Sequence, residues 1–227
     1  MKSVIVISGD IIGSTSLHIK AKIALEQGLK KIISSFNENI SIYGRIIKGD
    51  YIEIVVENPA DALLIVLIIK TFIKSIVVKD IINSRQKNFK HYGVRLAMGF
   101  GSLERFNKKT GIIDGNAIYY SGRRISEESA THNKQRIVIK NTLFFTSDNE
   151  KLNETFSTII NFIDHIINNA TTKQCEILHY RLTGMTEIEI AKKLNVKQPT
   201  INKQLSSVGW NSIDQSLKFF SKTLNNL

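Results

Sequence analysis

Ser3-Val4-Ile5-Val6-Ile7-Ser8, then Gly9-Asp10, then Ile11-Ile12-Gly13-Ser14-Thr15-Ser16, is the stretch on which the fold turns. A short Val/Ile run that ends in Gly-Asp reads as a buried strand. Gly13 to Ser16 supply capping residues for a helix, and Leu17, Ile23, Leu29, Ile32, Ile33 and Phe36 follow at roughly helical spacing. Working outward, Ile40–Ile47 and Tyr51–Val56 are β-branched runs joined by Lys48-Gly49-Asp50, a hairpin with a Gly-containing turn. Asn58-Pro59-Ala60-Asp61 opens a second helix, with proline in its first turn and an acid near its N-terminus. His91–Met98 reads as a strand, residues 116–130 as a helix and Arg136–Ile139 as a last strand. The order β-α-β-β-α-β-α-β predicts an α+β sandwich of the ferredoxin-like kind, a sheet with helices on one face.

The composition fits this reading and excludes others. With 42% hydrophobic and 22% charged residues the 227-residue chain can bury a core and is not disordered. One cysteine, Cys175, excludes an internal disulfide framework and a thiolate zinc cluster; it reads as a core residue. The formal charge of +11 suits an acidic partner, nucleic acid first, although an Ile-, Lys- and Asn-rich composition alone can produce it. The apolar run from Ala62 to Ile69 is broken by Lys70, Lys74 and Lys79, short of the roughly 20 residues of a spanning helix. The first residues are too short a run for a signal peptide. The expectation is a cytoplasmic protein with no membrane partner.

Three parts are expected: residues 1–148 as the α+β domain, 149–170 as an amphipathic connecting helix, and 171–227 as an all-helical tail. Within the tail, Glu189 to Leu205 has the side-chain sizes of a helix-turn-helix. Ala191 lets two helices approach, Asn195 tolerates the positive φ of the turn, and Pro199 falls in the first turn of the second helix. Leu194, Val196, Ile201 and Leu205 plug the angle between them. The outward face then carries Gln198, Thr200, Lys203, Gln204 and Ser207, residue types that read base edges or contact phosphate. Lys192, Lys193 and Lys197 stand ready for the backbone. Residues 170–227 hold eight Lys or Arg against four Asp or Glu, only a mild enrichment. The alternative is a helical bundle that packs on the first domain or on a partner. Thr172-Lys-Gln-Cys-Glu-Ile-Leu with Thr186-Glu-Ile-Glu-Ile-Ala also resembles the DNA-binding tails of sigma factors and response regulators.

In the first domain, Asp10 at a strand end precedes Gly13, Ser14 and Thr15, whose backbone amides at a helix start would cradle phosphate. A carboxylate beside phosphate makes chemical sense with a bridging divalent cation, Mg²⁺ or Mn²⁺. If the hairpin packs against the first strand, Asp50 joins Asp10 on one rim as its second metal ligand. Taken singly, each aspartate also reads as a turn or cap residue. Gly99-Phe-Gly101 lacks the third glycine of a dinucleotide fingerprint, and the five histidines have no ligand spacing.

The succession Ser8-Gly9-Asp10-Ile11-Ile12-Gly13-Ser14, Ile47-Lys48-Gly49-Asp50, Val94-Arg-Leu-Ala-Met-Gly-Phe-Gly101 and Asp114-Gly115-Asn-Ala117 resembles the class III nucleotide cyclase domain. With Ser207-Val208-Gly209-Trp210 in the tail, the whole chain resembles the SatD family, a cyclase-like domain joined to a helix-turn-helix. The resemblance implies Asp10 and Asp50 as metal ligands and a head-to-tail homodimer. It implies Arg123 as the phosphate-stabilising catalytic arginine, with Arg124 the neighbouring choice of register. The family's adenine-reading lysine is Ile46 here, and its transition-state asparagine is Tyr119. The reading is therefore a DNA-binding transcriptional regulator whose degenerate cyclase-like domain senses a nucleotide or dimerises. The alternative is a metal-dependent nucleotide cyclase or nucleotidyl transferase tuned by its tail.

Overall fold

A computed structural model describes residues 3–134 and 141–227. The first strand is longer than the apolar run alone suggests: β1 spans Val4–Ile11 and carries Gly9 and Asp10 inside it. After a single 3₁₀ turn at Ser14–Ser16 come α1 (Ile19–Asn39), β2 (Ile42–Ile47) and β3 (Tyr51–Val56). A second 3₁₀ turn at Pro59–Asp61 leads into α2 (Ala62–Ser75), then α3 (Ser84–Tyr92) and β4 (Val94–Gly101). The strand expected from His91 starts three residues late. Asn83 caps α3 by accepting the Gln86 amide, so the segment up to Tyr92 is helical, and Gly93 at φ 72° ends it.

The sheet order is β2-β3-β1-β4-β7, with the first four strands antiparallel and β7 (Leu143–Thr146) parallel to β4. This is the expected ferredoxin-like α+β arrangement with one added edge strand. The strand expected over Arg136–Ile139 lies outside the described residues. Ile5, Ile7, Ile52, Ile54, Leu96 and Met98 face α1 and α2 in the main core. The opposite face is covered too, contrary to the one-sided expectation. α4 (Asn116–Lys134) lies on β1 and β4, beside a small hairpin of β5 (Arg105–Asn107) and β6 (Ile112–Asp114). A Cβ on Gly99 would sit 2.1 Å from the Ala117 carbonyl oxygen, so α4 approaches β4 as closely as only glycine permits. Ser8 and Ser121 hydroxyls meet at 2.8 Å across this contact.

The remaining helices are α5 (Glu150–Asn169), α6 (Thr172–Leu182), α7 (Glu187–Leu194), α8 (Gln198–Ser207) and α9 (Trp210–Asn225). They rest on the body: α6 packs along α2, and Phe156 of α5 meets Phe145 of β7 edge-on and Phe220 of α9 at a tilt. One hydrophobic core runs from the sheet through to α9. Cys175 is buried in it, with its thiol pushed up by burial. No helix among the described residues is long and apolar enough to cross a membrane.

The lysines that interrupt the apolar run of α2 are themselves buried. Lys70 pairs with Asp164 at 3.0 Å and donates to Thr142 Oγ1 and the Tyr92 carbonyl. Lys74 Nζ donates to the carbonyls of His91 (2.5 Å) and Asn168 (2.8 Å), tying the ends of α3 and α5 to α2. Burial pushes Lys74 down to about 8, helped by Lys70 and opposed by Cys175 and Asp164. The unfolded chain keeps this proton up to its ordinary value of 10.5. Between those values the unfolded state therefore binds more protons, and the Lys74 contribution to stability rises with pH by up to about 1.4 kcal/mol per unit. Denaturant unfolding of wild type and Lys74→Met at pH 7.5 and 9.5 checks this: the wild type should gain on the variant at the higher pH. A pH-independent difference would refute it.

Candidate functional site

Sheet register brings the two aspartates to one rim. Asp10 of β1 stands between Tyr51 of β3 and Arg95 of β4, and the Ile11 amide donates to the Asp50 carbonyl at 3.1 Å. Asp10 is held by Arg95 Nη2 at 3.0 Å, a guanidinium whose side chain is only 9% exposed. Asp50 accepts the Ser14 hydroxyl at 2.9 Å. Tyr51, in the same row, has its hydroxyl pushed up by burial, against a hydrogen bond with Ser8, and further up by the charges of Glu53 and Asp10. Next along, Arg45 of β2 pairs with Glu53.

The phosphate cradle differs from expectation. The long helix begins at Ile19 rather than at Gly13, and Ser14–Ser16 form one 3₁₀ turn, which offers no extended run of free amides. Gly13 is needed for space and conformation: it sits at φ 69°, and a Cβ there would meet the Arg85 carbonyl oxygen at 2.6 Å. Ser14, Thr15 and Asp50 nonetheless line a cleft of about 240 Å³ with Lys22, Glu26 and Lys48. Asp10 and Gly13 do not line it. The lysines, which sequence reasoning passed over, supply the positive charge that the amides were expected to give.

Two carboxylates on one rim suit a Mg²⁺-sized ion that arrives with phosphate oxygens, since such ions use one or two carboxylates and keep their remaining ligands elsewhere. No group of three or more His, Cys, Asp or Glu side chains among the described residues could hold a metal by itself. Asp50 lines the cleft, whereas Asp10 is paired with Arg95 outside it, so only Asp50 is placed to meet a metal–phosphate complex there.

Arg123 is not brought to this rim within one chain. It lies on the outer stripe of α4, donating to Tyr119 Oη at 2.9 Å and Glu127 at 2.7 Å, contacts that push its already high pKa higher. Arg124 lies over the Phe144 ring at 4.6 Å and pairs with Glu128. The α4 residues turned toward the sheet are Ala117, Ser121 and Ile125 instead.

In the tail, Asn195 adopts the left-handed conformation (φ 52°, ψ 48°) that ends α7. Ala191, Ile201 and Leu205 are buried at the crossing of α7 and α8. Leu194 is partly buried, whereas Val196 is 39% exposed and plugs nothing. On α8, Thr200, Lys203 and Gln198 are exposed and Gln204 is half-buried. Gln198 is already engaged: its Nε2 donates to Glu187 of α7, and Asn202 donates to the other oxygen of that carboxylate at 3.2 Å. Glu187 is therefore a clamp on α8, one that only the assembled turn could reveal. Ser207 accepts from Gln174 at 3.0 Å. Lys193 lies over the Tyr180 ring at 4.9 Å, while Lys192 and Lys197 are exposed beside the turn.

No family model and no curated protein matches the chain. Among solved structures it is similar to one described as a bacterial light-regulated adenylyl cyclase, at 15% identity and a TM-score of 0.38 over 63% of this chain and 75% of the other. A second of the same description gives 15% identity and a TM-score of 0.39 over 63% of this chain and 43% of its own.

Proposed function

We propose that the chain is a DNA-binding regulator that lays α8 in the major groove, with the α+β body as its sensing or dimerising part. The observation that carries this reading is the outward face of α8. Thr200 and Lys203 are exposed on a helix held from behind by the buried Ile201 and Leu205. Lys192, Lys193 and Lys197 flank it for phosphate contact. In a homodimer, two such helices would meet half-sites about 34–36 Å apart. Fluorescence anisotropy of the full chain with its own upstream DNA tests the reading. Affinity should fall steeply with salt, and Lys203→Ala should lower the salt slope by about 1 while weakening all sequences alike. Absent or salt-independent binding overturns it.

A second reading, a metal-dependent cyclase or nucleotidyl transferase, is favoured by the cleft beside Asp50 with its two lysines. A divalent ion held by Asp50 would neutralise phosphate charge and polarise a phosphoryl oxygen. Ser14, Lys22 and Lys48 would orient the phosphates. The hydrophobic Ile46 and the Tyr119 hydroxyl, tied to Arg123, are what this reading must overcome. Incubation with each nucleoside triphosphate and Mg²⁺ or Mn²⁺ decides it: product that disappears in Asp50→Asn supports it, and silence with every substrate retires it.

A further inference from the structure

A cleft of about 720 Å³ lies where the body meets the tail, between the Pro59–Asp61 turn and start of α2 on one side and the end of α6 with α9 on the other. Its size is that of small-molecule sites. The apolar part of its wall comes from Leu64 of the body and from Leu182, Leu217 and the Trp210 indole of the tail. Its charges are unevenly satisfied. Asp214 is paired with Lys218 at 2.6 Å, and Asp61 accepts the Asn58 amide at 2.8 Å. Arg181 lies over the Trp210 ring at 5.2 Å and donates Nη1 to the Met185 carbonyl at 3.0 Å. Its Nε is buried with no partner among the described residues. Lys222, exposed on the rim, enters no ion pair among them.

A flat apolar wall beside a positive surplus selects its ligand by chemistry. Arg181 and Lys222 on the wall offer two cations, and a carboxylate on a guanidinium forms the stronger, charge-assisted kind of bond. We propose that this cleft is a binding site for a small aromatic carboxylate, its ring against Trp210, Leu64 and Leu217 and its charge between Arg181 and Lys222. The site spans both parts of the chain and does not depend on what α8 binds.

Trp210 is the chain's only tryptophan, so its single indole N–H resonance reports on this cleft alone. Full-length ¹⁵N-labelled protein titrated with 2-naphthoate, and separately with the uncharged 2-naphthamide, isolates the charge. The naphthoate should shift the indole signal saturably and bind about tenfold tighter than the amide. Arg181→Gln should remove that preference. Lys222→Glu, at an exposed position that leaves the fold intact, should at least halve it. An indole signal unmoved by naphthoate, equal binding of the two probes, or a preference undiminished in Lys222→Glu would overturn the proposal.

Discussion

Asp164→Ala should cost about 3–5 kcal/mol of stability, because it strands the Lys70 ammonium in a site with no solvent access. Lys70 is fully buried and Asp164 1% exposed, 3.0 Å apart. The carboxylate also takes the Thr142 hydroxyl at 2.7 Å, the Thr142 amide at 2.5 Å and the Leu143 amide at 3.3 Å, so it anchors the start of β7 to α5. Desolvation already pushes Lys70 down, and the aspartate is the main force opposing that. The double variant Lys70→Met/Asp164→Leu removes both charges while keeping volume, and it should recover most of the loss. Recovery will stop short of complete, because the Thr142 and Leu143 amides keep no acceptor. Urea unfolding monitored by circular dichroism checks both. A single variant within 1 kcal/mol of wild type would mean that water reaches Lys70.

That pair also shows where the sequence stops being legible. Lys70 and Lys74 read correctly as breaks in an apolar run, yet nothing local says that each has a partner 94 residues downstream and another at the far end of α3. The Val/Ile and β-branched runs of β1, β2 and β3 and the Lys48-Gly49-Asp50 turn are local, and they were readable. The tail was more so. Its αL residue Asn195 and Pro199 in the first turn of α8 are signals confined to a few residues. By contrast, β5, β6 and β7 are three or four residues long, and their pairing depends on what α4 and α5 cover. Strands that short carry no periodicity of their own.

The site divides along the same line. Sequence reasoning put Asp10 and Asp50 on one rim by assuming that the hairpin packs on β1. The hairpin does pack there, with Asp10 opposite Tyr51, but Asp10 pairs with Arg95 while Asp50 takes the Ser14 hydroxyl and alone lines the cleft. It gave Arg95 no role, because only the antiparallel pairing of β1 with β4 sets that guanidinium opposite Asp10. It assigned Gln198 to base reading because the type is right, whereas the clamp through Glu187 needs the angle between α7 and α8. Residue type was readable; commitment of the side chain to a neighbour was not.

The two aspartates of the rim should accordingly respond differently to the same substitution. Asp10→Asn takes the negative charge from Arg95, a buried group whose Nε and Nη1 have no partner among the described residues. The expected loss is about 2–3 kcal/mol, the upper range for a hydrogen bond to a charged group and below that of a fully enclosed pair, since Asp10 is 28% exposed. Asp50→Asn keeps an oxygen acceptor for Ser14 at a turn and should cost under about 1 kcal/mol. Thermal melts of the two variants measure the contrast. Asp50→Asn is therefore the variant that reports on metal and phosphate, because its fold is left intact. Loss of nucleotide–Mg²⁺ binding in Asp10→Asn alone would mean only that β1 and β4 had come apart. If the two melt alike, Arg95 has found another acceptor, and the charge of Asp10 is then available to a cation after all.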